Sequence, residues 1–122
     1  MDFYSKANMK ISVIGTGYVG LSTATVFAEL GNDVLAADID KEKIDGLNKG
    51  VMPIFEPGLK ELVVRNVKEK RLRFTHDNKE VIDHGEIIFI CVGTPPKVTG
   101  ETELKYIKAV AKDITENINS CK

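Results

Sequence analysis

The chain has few of the features that mark disulfide-rich, membrane-spanning or nucleic-acid-binding proteins. Its 122 residues include no tryptophan and only two cysteines. Two cysteines are too few for a disulfide framework. No apolar run approaches the roughly 20 residues of a membrane span, and residues 1–8 are too polar for a secretory signal. The net charge of −1 makes nucleic acid an unexpected partner. These absences favour a cytoplasmic protein.

The rest of the sequence alternates between strand and helix patterns. Hydrophobic residues make up 43% and charged residues 29%, which is typical of a packed single domain. The predicted strands are 10–14, 34–38, 72–75 and 87–92. Helices are predicted over 18–30 and 41–49, from Pro57 onward, and as a short turn over 78–83. A last helix is predicted from apolar residues at helical spacing, namely Leu104, Ile107, Val110, Ala111, Ile114 and Ile118. This alternation predicts an α/β fold, a Rossmann-like doubly wound parallel sheet in the order 3-2-1-4.

The strongest functional signal is Gly15-Thr16-Gly17-Tyr18-Val19-Gly20, between the first predicted strand and helix. This Gly-x-Gly-x-x-Gly spacing is typical of a dinucleotide-binding turn. Gly15 permits the tight turn, Gly17 lets a pyrophosphate approach the backbone, and Gly20 lets the helix pack against the strand. The N–H groups that begin the helix then face the phosphates. We expect all six residues to belong to a cofactor site.

An acidic residue supports the same prediction. Asp38 closes the second predicted strand, 18 residues after Gly20, near the spacing of about 20 expected for a carboxylate that binds ribose hydroxyls. Its charge repels the 2′-phosphate of NADP, so the expected cofactor is NAD. Lys41 and Lys43 are cations that would suit NADP, but a solvated helix surface is the simpler explanation for them, so NAD is favoured.

The fourth predicted strand, 87–92, is apolar on both faces. Such a run is typical of the interior of a parallel sheet, whereas the order 3-2-1-4 places it at an edge. An exposed apolar edge favours pairing with another strand. We therefore expect an incomplete sheet that belongs to a larger molecule, or one that pairs with a complementing chain or a second copy.

Four sequence blocks carry a resemblance to a known family. They are residues 9–21, residues 38–44, Pro53-Ile54-Phe55-Glu56-Pro57-Gly58-Leu59 and Ile90-Cys91-Val92-Gly93-Thr94-Pro95-Pro96. Through these blocks, residues 9–122 resemble the N-terminal NAD-binding domain of the UDP-glucose 6-dehydrogenases, in the UDP-glucose/GDP-mannose dehydrogenase family. Residues 1–8 precede the resemblance and are predicted to be an N-terminal extension. GDP-mannose dehydrogenases share most of the pattern, so the sugar stays open.

The resemblance implies a reaction for the family protein as a whole. The family oxidises UDP-glucose to UDP-glucuronate in two successive NAD-dependent steps. Its catalytic cysteine, its dimerisation helix and its UDP-sugar-binding domain match nothing within residues 1–122, so this chain by itself is not expected to turn over UDP-glucose, and we assign it no catalytic residue and no metal ligand. The resemblance adds two cofactor contacts, namely Lys43 beside the adenosine ribose and Thr94 across the switch point of the sheet.

Other residues have weaker functional interpretations. Cys91 lies in an apolar run, where cysteine packs as a small hydrophobe. His76 and His84 lie in polar segments and are expected at the surface. Glu56-Pro57-Gly58 has two open interpretations: it starts a helix with Pro57 in the first position, or it shapes the mouth of the nucleotide site.

Two functions of different classes stay open. The first is an oxidoreductase domain that acts only with a substrate-binding partner domain. The second is a free-standing NAD-binding module without catalytic activity. A Rossmann-like methyltransferase fits less well, because it leaves Gly20 and the Gly93-Thr94-Pro95-Pro96 loop unexplained.

Overall fold

A four-stranded parallel sheet organises the chain, and the computed structural model describes residues 8–93 and 97–118 of it. The strands are β1 (Lys10–Ile14), β2 (Asp33–Ala37), β3 (Leu72–Thr75) and β4 (Ile87–Ile90). The helices are α1 (Tyr18–Glu29), α2 (Lys41–Asn48), α3 (Leu59–Lys68), α4 (Asn78–His84) and α5 (Lys105–Asn117). The strand order is β3-β2-β1-β4, which confirms the predicted topology. Within the described ranges, no helix has the length and apolar character to cross a membrane.

The main core lies between the sheet and helices α1, α2 and α3. Alternate residues of each strand point to this face because side chains in a strand alternate with period 2. From the sheet it takes Ile11, Val13, Val34, Ala36, Leu72 and Phe74, and from the helices Leu21, Ala24, Ala28, Ile44, Leu47, Leu59 and Val63. Leu59 and Val63 place the apolar face of α3 in this core.

The opposite face of the sheet has a smaller core under α4 and α5. Ile14, Leu35 and Ala37 pack there against Val81 of α4 and Val110 of α5. Within α5, Val110 is the one buried residue. Three residues predicted for the apolar face of this helix are exposed, namely Leu104, Ala111 and Ile118, and the first and last of them lie just outside its ends. The prediction for them was wrong because Leu104 and Ile118 are the caps of the helix and Ala111 lies on its exposed side.

The segment before α3 differs from the prediction. Pro57 is not the first helical residue, since α3 begins at Leu59. Gly58 has φ +82° and ψ −16°, and the amide of Leu59 donates to the carbonyl of Glu56 at 3.0 Å. These values describe a type II turn with proline in its second position and glycine in its third. Pro57 therefore fixes a turn, and Gly58 supplies the left-handed conformation that the turn requires.

Smaller differences concern strand ends and one histidine. Asp38 follows β2 instead of ending it, and β4 ends at Ile90. His84 is not a free surface residue, because its side chain is 10% exposed and Nε2 lies 3.0 Å from the carbonyl oxygen of Asp33. Its position at the end of α4 places the ring beside Asp33, the first residue of β2. His76 is exposed, as predicted.

The edge of the sheet at β4 is only partly covered. Ile87 and Ile90 are each 42% exposed, while Phe89 is half-buried and stacks on Phe27 of α1 with ring centroids 5.1 Å apart. Both faces of this edge strand are apolar, as the sequence predicted. An uncovered apolar edge of this kind favours pairing with a further strand.

A glycine in α1 sets how closely this helix approaches the sheet. A Cβ on Gly20 would overlap the carbonyl oxygen of Gly15 and lie 3.2 Å from Cβ of Cys91. We therefore expect Gly20→Ala to destabilise the fold by about 1–3 kcal/mol, the usual range for overpacking a core. Urea denaturation measures this change.

Gly46 in α2 provides the matched control. The nearest atom to an added Cβ there is Cβ of Val51 at 3.6 Å, an ordinary contact. Gly46→Ala should stabilise the fold by roughly 0.5–1 kcal/mol through helix propensity. Equal effects of the two substitutions would contradict the close packing assigned to Gly20.

Candidate functional site

A cleft of about 1070 Å³ lies at the carboxyl ends of the strands. Ile14 at the end of β1, Asp38 after β2, and Cys91 and Val92 after β4 line it. Ligands of open α/β sheets bind at this edge, where the direction of the connections reverses. In the order β3-β2-β1-β4, that reversal falls between β1 and β4.

The turn between β1 and α1 forms the floor of the cleft. Gly15 has φ +104°, a conformation that favours glycine, and a Cβ there would lie 2.6 Å from the carbonyl oxygen of Cys91. Gly17 is exposed, and nothing lies within 4 Å of the position of its missing Cβ. The backbone at Gly17 is therefore open to a ligand from the cleft side.

The N-terminus of α1 has the properties of an anion site. No side chain caps it, and its first turn holds no acidic residue. The first N–H groups of a helix have no partners within the helix, and the helix dipole adds positive potential there. Tyr18 and Val19 are 57% and 65% exposed and line the same cleft. This arrangement can bind a phosphate group through backbone amides.

Asp38 lies beside this turn and is held by three neighbours. Its Oδ2 accepts from the backbone amide of Thr16 at 2.9 Å and from the Thr16 hydroxyl at 2.8 Å. Its Oδ1 accepts from the amide of Asp40 at 3.0 Å. Lys43 Nζ lies 3.4 Å from Oδ2. The carboxylate therefore faces the cleft in a fixed orientation.

The surroundings keep this carboxylate ionised. Burial by itself would raise the pKa of Asp38, but the hydrogen bonds from Asp40 and Thr16, together with the charge of Lys43, outweigh it and lower the pKa below its ordinary value. A negative charge is thus maintained at the place where sequence analysis expected a ribose.

Helix α2 brings Lys43 to the site. Its N-cap, Asp40, accepts from the amide of Lys43 at 3.2 Å, which fixes the first turn of the helix. The side chain of Lys43 is 26% exposed and lines the cleft together with Asp38 and Asp40. Two carboxylates and one ammonium group at this end of the cleft leave it with net negative charge.

Two predicted cofactor residues lie behind the cleft instead of lining it. Thr16 is fully buried and directs its hydroxyl to Asp38. Gly20 is buried against Gly15 and Cys91. Their direct contact with a cofactor stays a prediction. Thr94, the expected contact from the loop after β4, lies outside the described residues.

Helices α4 and α5 form a wall of the cleft that was not predicted from the sequence. Tyr106, Ala109, Val110 and Asp113 line it from α5, with the spacing of a single helix face. Asn78 of α4 also lines it, and its Nδ2 donates to Oδ2 of Asp113 at 3.2 Å. Asn78 begins the helix that follows β3, so it lies at the carboxyl edge of the sheet. This position could have identified Asn78 as a cleft residue from the sequence alone.

Cys91 lies just after β4, at the inner wall of the cleft. Its amide donates to the carbonyl of Ile14 at 2.7 Å, and its half-buried side chain packs against the main core. Burial raises the pKa of the Cys91 thiol, which disfavours the reactive thiolate. The core role predicted for it is therefore confirmed. Across the described residues, no group of three or more His, Cys, Asp or Glu side chains is arranged to hold a metal ion.

The lowered pKa of Asp38 predicts how its contribution to stability varies with pH. A carboxylate whose folded-state pKa is depressed stabilises the fold above its unfolded-state pKa, about 4, and loses this effect as the pH falls through the folded-state value. Urea unfolding of the wild type and of Asp38→Ala should therefore differ by a constant amount above about pH 5, and the difference should shrink at lower pH. If the difference in stability between the wild type and Asp38→Ala already shrank as the pH fell from about 7 to 5, this result would contradict the hydrogen bonding described.

Comparison with known proteins agrees with this geometry. Residues 9–122 match the sequence profile of the UDP-glucose/GDP-mannose dehydrogenase family, NAD binding domain. UDP-glucose 6-dehydrogenase TuaD of Bacillus subtilis (strain 168) is 55% identical over 113 residues, which are 93% of this chain and 24% of that protein. The chain thus spans about a quarter of the length of this relative.

Two solved structures share the fold. A GDP-mannose dehydrogenase from Pseudomonas aeruginosa superposes with a TM-score of 0.84 at 40% identity, over 87% of this chain and 24% of that one. A UDP-glucose dehydrogenase from Pyrobaculum islandicum superposes with a TM-score of 0.85 at 36% identity, over 88% of this chain and 25% of that one. The chain therefore belongs to the UDP-glucose/GDP-mannose dehydrogenase family, of which it is the NAD-binding domain.

Proposed function

We propose that this chain provides the NAD site of a UDP-glucose 6-dehydrogenase, which oxidises UDP-glucose to UDP-glucuronate in nucleotide-sugar metabolism. One observation carries the proposal: the uncapped N-terminus of α1 and the ionised carboxylate of Asp38 face the same cleft. A dinucleotide needs both groups, one for its diphosphate and one for its ribose. The 55% identity to UDP-glucose 6-dehydrogenase TuaD supports this choice of sugar, and GDP-mannose is the second candidate.

Each part of the cleft has a proposed role in holding NAD. The amides at Gly17, Tyr18 and Val19 bind the diphosphate, because they lie at the positive end of α1. Asp38 accepts hydrogen bonds from the adenosine ribose, and Lys43 lies beside the same sugar. When bound, NAD accepts a hydride from the substrate. This chain contributes the position of the cofactor to that reaction.

The charge of the cleft supports NAD over NADP. A 2′-phosphate would meet the carboxylate of Asp38, whose lowered pKa keeps it ionised. Lys43 Nζ, 3.4 Å from Oδ2 of Asp38, offsets only part of this repulsion, because Asp40 adds a second carboxylate at this end of the cleft. Removing this negative charge should therefore reduce the discrimination between the two cofactors.

Catalysis and substrate binding are proposed to reside outside this chain. The chain covers 24% of TuaD, and its cysteine at the cleft has a raised thiol pKa. The partly exposed edge at β4 supports pairing with a further strand, from the same protein, a complementing chain or a second copy. A cytoplasmic location fits the low cysteine content.

A second candidate is a free-standing NAD-binding module without catalytic activity. The raised pKa of the thiol of Cys91, the cysteine at the cleft, favours it. Both candidates require NAD in the same cleft, so they differ only in whether hydride transfer follows binding.

Removing the ribose-binding carboxylate should weaken NAD binding. We expect Asp38→Ala to raise the Kd for NAD by roughly tenfold to a hundredfold, because hydrogen bonds to a charged acceptor are lost. Isothermal titration calorimetry measures the Kd. The control is Asp45→Ala, which removes the same charge from the exposed side of α2 and should leave the Kd unchanged. An unchanged Kd in Asp38→Ala would remove this carboxylate from the site.

A chimera separates the two candidate functions. We expect no NADH from the 122-residue chain mixed with NAD and UDP-glucose. A chimera in which this chain replaces the matching segment of TuaD should form NADH from UDP-glucose, and the same chimera with Asp38→Ala should have a raised KM for NAD. A folded chimera that binds NAD but forms no NADH would favour the non-catalytic module.

A further inference from the structure

Thr16 differs from the other residues of the glycine turn because its side chain points away from the cleft. It is fully buried, and it is not among the residues that line the cleft. Its hydroxyl donates to Oδ2 of Asp38 at 2.8 Å, and its amide donates to the same oxygen at 2.9 Å. Thr16 therefore links the phosphate turn after β1 to the acidic residue after β2.

The two oxygens of Asp38 have different surroundings. Oδ2 accepts from the amide and hydroxyl of Thr16 and faces Lys43 Nζ at 3.4 Å. Oδ1 accepts one hydrogen bond among the described residues, from the amide of Asp40. An ionised carboxylate has about two acceptor sites on each oxygen. Oδ2 is thus saturated by the protein, and Oδ1 keeps acceptor capacity for a ligand.

We propose that Thr16 is a positioning residue for NAD binding: its hydroxyl holds Oδ2 of Asp38, so that Oδ1 is presented to the ribose. This inference rests on the proposed function of the cleft. The same residue lies in the turn that receives the diphosphate, so one hydrogen-bonded unit fixes the spacing between the diphosphate site and the ribose acceptor. A carboxylate fixed before binding loses no side-chain entropy when the ribose arrives.

The hydroxyl is the part of Thr16 that the proposal needs. Valine has nearly the same shape as threonine but cannot donate a hydrogen bond. In Thr16→Val, Asp38 would keep the amide of residue 16 and the ammonium of Lys43, and its carboxylate could turn toward Lys43. Thr16→Ser keeps the donor and removes only a methyl group.

The test compares three variants of the full chain by calorimetric titration with NAD and with NADP. Thr16→Val should weaken NAD binding by about tenfold, the effect of one hydrogen bond to a charged group. Its effect on NADP should be clearly smaller, because the 2′-phosphate gains nothing from an oriented carboxylate. Thr16→Ser should restore the wild-type ratio of the two affinities. The matched control is Thr25→Val, which removes a buried hydroxyl of α1 that donates to the carbonyl of Leu21 at 2.7 Å.

A second readout needs no cofactor. Titration of the Asp38 carboxyl carbon by ¹³C NMR should give a higher pKa in Thr16→Val than in the wild type and in Thr16→Ser, because the ionised form loses a donor. If Thr16→Val does not fold, Thr16→Ala carries the same predictions, since it removes the hydroxyl without filling its space. Loss of folding in both variants, with Thr25→Val folded, would assign the hydroxyl to stability and overturn the proposal.

The outcomes separate this inference from the function on which it rests. A wild-type chain that binds no NAD would overturn the proposed function and the inference together. A wild-type chain that binds NAD, with unchanged affinity in Thr16→Val, would overturn the inference only. Equal weakening of NAD and NADP would also overturn it, because a merely structural hydroxyl would affect both cofactors alike.

Discussion

The hydrogen bonds between Thr16 and the carboxylate of Asp38 join the two halves of the candidate site. One half is the turn that leads from β1 into α1, and the other is the end of β2. Backbone amides bind diphosphate only if they face it together, and a carboxylate selects a ribose only at a set distance from that diphosphate. The contacts at 2.8 and 2.9 Å fix this distance before any ligand arrives. Burial by itself would raise the pKa of Asp38, and these contacts, together with the amide of Asp40 and the charge of Lys43, lower it below its ordinary value. The contacts with Thr16 therefore contribute to both the geometry and the charge of the site.

The fold brings these groups together through close packing around two glycines. Gly15 turns the chain beside the backbone of Cys91, and Gly20 lets α1 lie against that turn. A side chain at Gly20 would push the helix and its N-terminus away from that turn, and a side chain at Gly15 would collide with the backbone of Cys91. The core below, in which Val13 and Leu21 are fully buried, holds helix and strand at this separation. The site therefore depends on packing behind the cleft as well as on the groups that line it.

The sequence predicted the parts of this structure that depend on local pattern. The strand order, the glycine turn and the place of Asp38 follow from spacing and from the rules of parallel sheets. Other features depend on contacts between distant segments, which no local pattern contains. The buried role of the Thr16 hydroxyl, the near-burial of His84 and the pairing of Asn78 with Asp113 arise only after the sheet has formed. The turn at Pro57 was mistaken for a helix start because proline is favoured in both positions.

We propose that the cleft binds NAD with its diphosphate on the N-terminus of α1 and its adenosine ribose on Asp38, and a crystal structure of the chain with NAD is the decisive experiment. We expect diphosphate oxygens within hydrogen-bond distance of the amides at residues 17–19 and a ribose hydroxyl on Oδ1 of Asp38. A dinucleotide bound elsewhere, or a ribose that makes no contact with Asp38, would contradict it.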